Sequence, residues 1–355
     1  MYGPWQVCQM TKEDYAKRAY QWAKALKLLD PDLVLILCGE TGFSTWDSYV
    51  VKECIRQDPH GLGPPPPDGV PRRSLIDMHS IHIYTASSNH LENVIAPRSA
   101  ERAIEIAAGL IDLARIENKV PPSVPRQKIC FDEWNVWDPV RAPGELGGEE
   151  RYTLSDALAV AAWLNVFVRQ AKHIGMANIA QSVNVISPLM THATGLTKQT
   201  TWWPLLLFSR HMRGSSLAVH LRCGAYEGPT KPAWIRGTVD TPWLDVSAAL
   251  GEDGVVSLAV VNIHPERDVE VELQGLFVGG GGGGGGVSGG GDGGQKKKKK
   301  VDAYTVTAET VEATNMDESE NVGIRESTWE VEEGTAVVVY TFLKHSFTML
   351  RWAAV

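Results

Sequence analysis

At 355 residues the chain is long enough for two or three domains, and its 43% hydrophobic and 21% charged residues are ordinary for a folded globular protein. A formal net charge of -8 argues against a protein that clamps a phosphate backbone with clustered Lys and Arg, so no nucleic-acid partner is expected. No apolar run reaches membrane-spanning length, and Cys8, Cys38, Cys54, Cys130 and Cys223 lack CxxC spacing and nearby His, so buried free thiols are expected rather than a metal site.

The chain opens with MYGPWQ, a Gly-Pro turn leading to a tryptophan with no strand or helix ahead of it. Thr11 then starts a helix, with Asp14 three residues on, and Tyr15, Ala19, Trp22, Ala23, Leu26 and Leu29 recur at helical spacing until Pro31. Residues 33–38 (LVLILC) read as a strand buried on both faces, as parallel sheets require. A glycine-bearing loop, a helix near 46–57 and a Pro/Gly-rich loop at 59–71 follow. Residues 75–84 (LIDMHSIHIY) form the next strand, where His82 and Tyr84, two apart, share a face.

An amphipathic helix at 98–117 leads to a strand at 127–133, and a polar loop at 144–150 to a largely apolar helix at 155–173. The strand expected at 177–185 carries Asn178, Gln181 and Asn184 as buried amides or site residues. A last helix at 199–213 is entered through Thr200, Thr201, Trp202 and Trp203, with Pro204 near its first turn. This alternation gives four parallel βα units, whereas a closed (β/α)8 barrel needs eight.

After 214 the pattern changes to short β-former runs at 217–221, 255–263, 269–273, 301–306, 328–331, 336–342 and 347–352. The expectation is an all-β sandwich over 215–355. The glycine and lysine tract at 279–300 buries nothing and reads as a disordered insert.

The densest chemistry lies in QKICFDEWNVW, residues 127–137. An apolar strand runs into two acids, Asp132 and Glu133, and then two tryptophans. A carboxylate at the C-terminal end of a barrel strand is where such folds place catalysis. On spacing alone, an acid paired with a nearby cation is an equal reading. The rings favour a sugar site, because sugar faces pack on Trp.

Taken in register, CFDEWNVW, HSIHIY, the run YTLSDALAVAAWLNVFVRQ with ANIAQSVNVISPLM, and KQTTWWP resemble family 51 glycoside hydrolases, the α-L-arabinofuranosidases. The resemblance covers about 1–214 and implies α/β plus all-β architecture: a partial TIM barrel, strands five to eight, then a β-sandwich. It implies a retaining mechanism with two carboxyls about 5–5.5 Å apart. By motif, Glu133 matches the nucleophile, His82 and Tyr84 match a strand-end pair that holds it and the furanose, and Gln199 and Trp5 match substrate-binding residues.

The family's acid/base Glu lies in an Asn-Glu pair directly before a segment like MYGPWQ, so its position falls upstream of Met1. Glu40 sits on the neighbouring strand's loop and reads as a solvated acid. The expected activity is removal of terminal α-L-arabinofuranosyl groups from arabinan or arabinoxylan. An inactive or carbohydrate-binding remnant, and a β-xylosidase or endoglucanase, are the alternatives. No metal or organic cofactor is expected, because the His residues do not cluster at ligand spacing and the mechanism needs only carboxylates, and no membrane partner is expected; the resemblance allows a homo-oligomer, and the compartment is open between cytoplasm and secretion.

Overall fold

Thr11 caps the first helix, its hydroxyl accepting the Asp14 N–H at 3.2 Å, and α1 runs Lys12–Leu29. The structure is a computed structural model and describes residues 3, 6–56, 74–137, 148–275, 298–316 and 321–354. After α1 come β1 (Ile36–Leu37), α2 (Thr45–Cys54), β2 (Met78–Thr85), α3 (His90–Ile95), α4 (Arg98–Glu117), β3 (Lys128–Val136), α5 (Leu154–Arg169) and β4 (Ile174–Ile179). A hairpin of β5 (Leu189–His192) and β6 (Gly195–Lys198) precedes α6 (Trp202–His211). The remainder is β7 (Ser215–Leu217), β8 (Leu244–Leu250), β9 (Val255–Asn262), β10 (Val269–Gln274), β11 (Lys298–Thr307), β12 (Gly323–Glu332), β13 (Val337–Phe342) and β14 (Ser346–Ala353).

The described residues form two units. The first contains the chain up to Tyr84, Ser99–Asn135 and Gln170–Ala180. Its strands make one sheet in the order β1-β2-β3-β4, with β1 parallel to β2 and β3 parallel to β4. Two expectations need correction here. The buried stripe of α1 is Ala16, Tyr20, Ala23 and Lys27, one residue out of phase with the predicted one, and Trp22 is 65% exposed. Residues 33–38 are not buried on both faces, because β1 is only two residues long and lies at the sheet edge, with Leu33, Val34 and Ile36 exposed.

A lysine occupies that buried stripe because it is paired. The Lys27 Nζ donates to Asp77 Oδ2 at 3.0 Å and to the Leu33 carbonyl, and the same Asp77 oxygen accepts the Leu35 N–H. The loop after β1 is fastened with similar economy. Asp47 is fully buried and accepts N–H bonds from Glu40, Gly42 and Ser44, closing a capping box at the start of α2, while His79 on β2 contacts its Oδ1 at 2.9 Å. Burial alone would raise the Asp47 carboxyl, but the His79 hydrogen bond and charge and the backbone donors hold it below the usual range. A side chain at Gly39 would meet the Ser80 carbonyl and the His79 ring, so only glycine lets the loop pass.

The second unit holds Thr85–Arg98, Val136–Arg169 and Gln181–Val355. A six-stranded sheet, β12-β11-β14-β9-β8-β7, is antiparallel throughout, and β10 pairs antiparallel with β13. Leu258, Val260, Leu350 and Trp352 of the large sheet share a core with Val338 and Phe342 of the small one, a β-sandwich as expected. The other face of the large sheet packs on α3, α5 and α6 through Val94, Leu158, Phe208, Val261 and Phe347. The division therefore does not fall at residue 214. Helix α5 is apolar around most of its circumference, and one flank packs on the sheet through Leu154, Ala157 and Leu158.

The 279–300 tract also needs correction at its end. Lys298, Lys299 and Lys300 are the first residues of β11, set opposite Glu332, Val331 and Glu330, with Lys298 Nζ 3.1 Å from Glu330 Oε2. Opposite charges across a strand pair favour that register. The rest of the tract lies outside the described residues.

Candidate active site

Strand β2 places His82 and Tyr84 on one face, because side chains two apart in a strand point the same way. Opposite them stands the C-terminal part of β3. In a regular strand Asp132 and Glu133 would point to opposite faces, and only one could meet that pair. Here the register breaks: Phe131 pairs with Ala177 and Trp134 with Ile179, so three steps along β3 match two along β4. Such a bulge re-aims side chains. Both acids now meet β2.

The Tyr84 hydroxyl donates to Glu133 Oε2 at 2.8 Å, and Glu133 itself is exposed. His82 Nδ1 lies 3.5 Å from Asp132 Oδ1. Burial, then the Glu133 hydrogen bond and charge, push the Tyr84 phenol far above its usual range, so it remains a donor. The Asp132 contact raises the His82 imidazole, against the lowering effect of burial, with Glu133 and Asp47 adding to the rise. The loop beneath is tied in as well, since the His82 N–H donates to the Glu40 carbonyl at 2.9 Å. The arrangement offers an accessible carboxylate, a neutral donor fixed upon it and a readily protonated imidazole beside it. That can present a nucleophile to an electrophilic carbon.

Not every candidate joins this cluster. Trp5 lies outside the described residues. Gln199 belongs to the second unit, is fully buried, and spends its carboxamide there. Its Oε1 accepts the Tyr152 N–H at 2.9 Å, and its Nε2 donates to the Glu150 and Ser187 carbonyls at 3.0 and 2.8 Å. In this arrangement the carboxamide clamps two segments, 150–152 and the one around Ser187. One of them includes Ile186 at φ 39°, a backbone strain for a β-branched residue that neighbouring bonds must hold. Replacing Gln199 with Leu should therefore lower unfolding free energy by about 2–4 kcal/mol, as buried backbone groups lose partners. Urea denaturation would measure this, and a change under 0.5 kcal/mol would show the clamp to be dispensable.

Trp134 is 2% exposed and serves as wall, while Trp137 is half-buried. Asn178 and Gln181 are exposed rather than buried, because β4 ends at Ile179 and lies at the sheet edge. Asn184 is half-buried at φ 65° and bonds Thr191 through its side chain. Sequence reasoning gave Asp132 no separate role, because nothing in DEWN announces the bulge. Asp47 and His79 were passed over too, although Ser44 and Asp47 at capping-box spacing were a readable signal.

A family model described as the alpha-L-arabinofuranosidase C-terminal domain matches residues 132–346. The chain is 58% identical over 351 residues to the "Probable alpha-L-arabinofuranosidase C" of Aspergillus niger, a match covering 99% of this chain and 63% of that protein. It is 55% identical over 354 residues to the alpha-L-arabinofuranosidase C of Emericella nidulans, covering 100% and 64%. The chain thus spans less than two thirds of the length of these relatives. Among solved structures, the GH51 alpha-L-arabinofuranosidase of Thermotoga petrophila matches with a TM-score of 0.75 at 25% identity, over 99% of this chain and 64% of that one. The alpha-L-arabinofuranosidase of Thermotoga maritima, solved as an arabinose complex, matches at 0.76 and 25% over the same shares. The chain belongs to the α-L-arabinofuranosidases of glycoside hydrolase family 51.

Proposed function

We propose that this chain carries the nucleophile half of a retaining α-L-arabinofuranosidase site, with Glu133 as the attacking carboxylate. The four-stranded sheet is read as strands five to eight of a (β/α)8 barrel, whose strand ends carry catalysis. Glu133 adds to the anomeric carbon of a terminal arabinofuranosyl group as the glycosidic bond breaks. The leaving oxygen takes a proton from a general acid, and water then releases the sugar from the glycosyl-enzyme. Tyr84 holds one oxygen of Glu133, leaving the other to attack, and His82 stands beside it. Gln199 and Trp5 are assigned to the sugar site by motif alone. The acid/base role falls to no member of the Glu133 cluster.

What supports this reading most is the 2.8 Å bond from Tyr84 to an exposed strand-end Glu133, in a chain of this family. The substrates proposed are arabinan and arabinoxylan side chains. The test is hydrolysis of an aryl α-L-arabinofuranoside beside an aryl β-D-xyloside, since an activated leaving group needs little protonation. Arabinoside turnover is expected, and a slow 2-fluoro arabinosyl substrate should leave its adduct on the peptide carrying Glu133. Preference for the xyloside, or an adduct elsewhere, would overturn the assignment.

A further inference from the structure

The bulge in β3 brings forward a second carboxylate that the proposed reaction does not use. Asp132 precedes the nucleophile and would face away from it in a regular strand. Instead its Oδ1 is shielded from solvent, makes no hydrogen bond among the described residues, and lies 3.5 Å from His82 Nδ1. A carboxylate on one imidazole nitrogen decides which nitrogen carries the proton and how the ring is turned. We propose that Asp132 is a positioning residue: across the bulge it holds His82 in one orientation, with a proton on Nδ1, beside Glu133.

The inference rests on the proposed role of Glu133 for its meaning, but not for its test. The local charges favour it. Three acids act on His82 from two different elements: Asp132 and Glu133 on β3, and Asp47 on α2. All of them raise the imidazole, burial alone opposes, and Asp132 supplies the largest contribution. Tyr84, on His82's own strand, stays neutral and adds no competing charge. The sign follows. A histidine raised in the folded state stabilises most below its unfolded value of about 6.5, and that contribution disappears as pH rises through the folded value.

The experiment is NMR titration of the imidazole resonances in the 355-residue chain, with His82 assigned by its loss in His82→Gln. The His82 midpoint in the unaltered protein should lie above 6.5. In Asp132→Asn it should fall by about one pH unit or more, and Asp132→Glu should recover part of the shift. A purely packing role for Asp132 would move neither midpoint. A midpoint at or below 6.5 in the unaltered protein overturns the proposal even if Asp132→Asn fails to fold, and so does an unchanged midpoint in a folded variant. Because no substrate enters the titration, a shifted midpoint with no arabinoside turnover would overturn the function assigned to Glu133 and leave the pairing intact.

Discussion

Replacing Glu133 with Gln should lower turnover of an aryl α-L-arabinofuranoside roughly 10⁴-fold or more, the order lost when a covalent nucleophile is removed. The amide keeps the size and shape of the side chain and can still accept the Tyr84 hydroxyl, but it cannot form a stable ester with the sugar. Stability should barely change, because Glu133 is exposed and the hydrogen bond it accepts from Tyr84 can also be accepted by the amide. That separation makes the result interpretable: lost activity with unchanged denaturation is lost chemistry. Glu133→Gly adds a second discriminator. The vacated space admits azide, which should attack the anomeric carbon and give a glycosyl azide of inverted configuration. Rescue by azide would mark Glu133 as the nucleophile. Equal turnover in Glu133→Gln and the unaltered chain would remove it from the mechanism.

The part of this cluster visible in the sequence was the part written in short-range spacing. His82 and Tyr84 two apart on one strand, and an acid at the end of another, are local patterns, and the fold keeps them. The bulge that adds Asp132 is not local, since it depends on how β3 and β4 slip past each other. Helix α1 shows the same limit. Its apolar residues cover so much of the surface that spacing alone admits two stripes, and the one chosen includes Lys27, acceptable only because Asp77 waits fifty positions later. Gln199 was assigned to the sugar through the resemblance of KQTTWWP to the family's motif, which says nothing of the bonds its side chain makes. Its three backbone partners lie 12 to 49 positions away, where no periodicity points.

Strand β8 was missed altogether, for a related reason. LDVSAAL has one strong β-former and an acid at its second position, so it does not read as a buried strand. Yet six of its seven residues are buried. The acid, Asp245, is neutralised by residues from two earlier helices. Arg98 approaches its Oδ2 at 3.1 Å and Arg169 its Oδ1 at 2.9 Å, while the Asn165 amide donates to Oδ1 at 2.8 Å.

Asp245→Ala should therefore destabilise the protein by about 3–5 kcal/mol, the usual consequence of removing one partner from a buried ionic cluster. The magnitude follows from what stays behind. The two guanidiniums are only partly exposed, 15% for Arg98 and 21% for Arg169, and each would lose its carboxylate without gaining full hydration. Asn165 would lose the same acceptor in a fully buried position. A surface ion pair would predict under 1 kcal/mol and strong sensitivity to salt. Urea denaturation in low and high salt separates the two: a large loss that salt barely alters places the cluster in the core, while a small, salt-dependent one would make it peripheral. Asp245→Asn should fall between, because the amide fills the space and can still accept one bond, but leaves two cations facing a neutral group. A loss in Asp245→Asn as large as in Asp245→Ala would assign the stabilisation to charge; a negligible one would assign it to shape and hydrogen bonding.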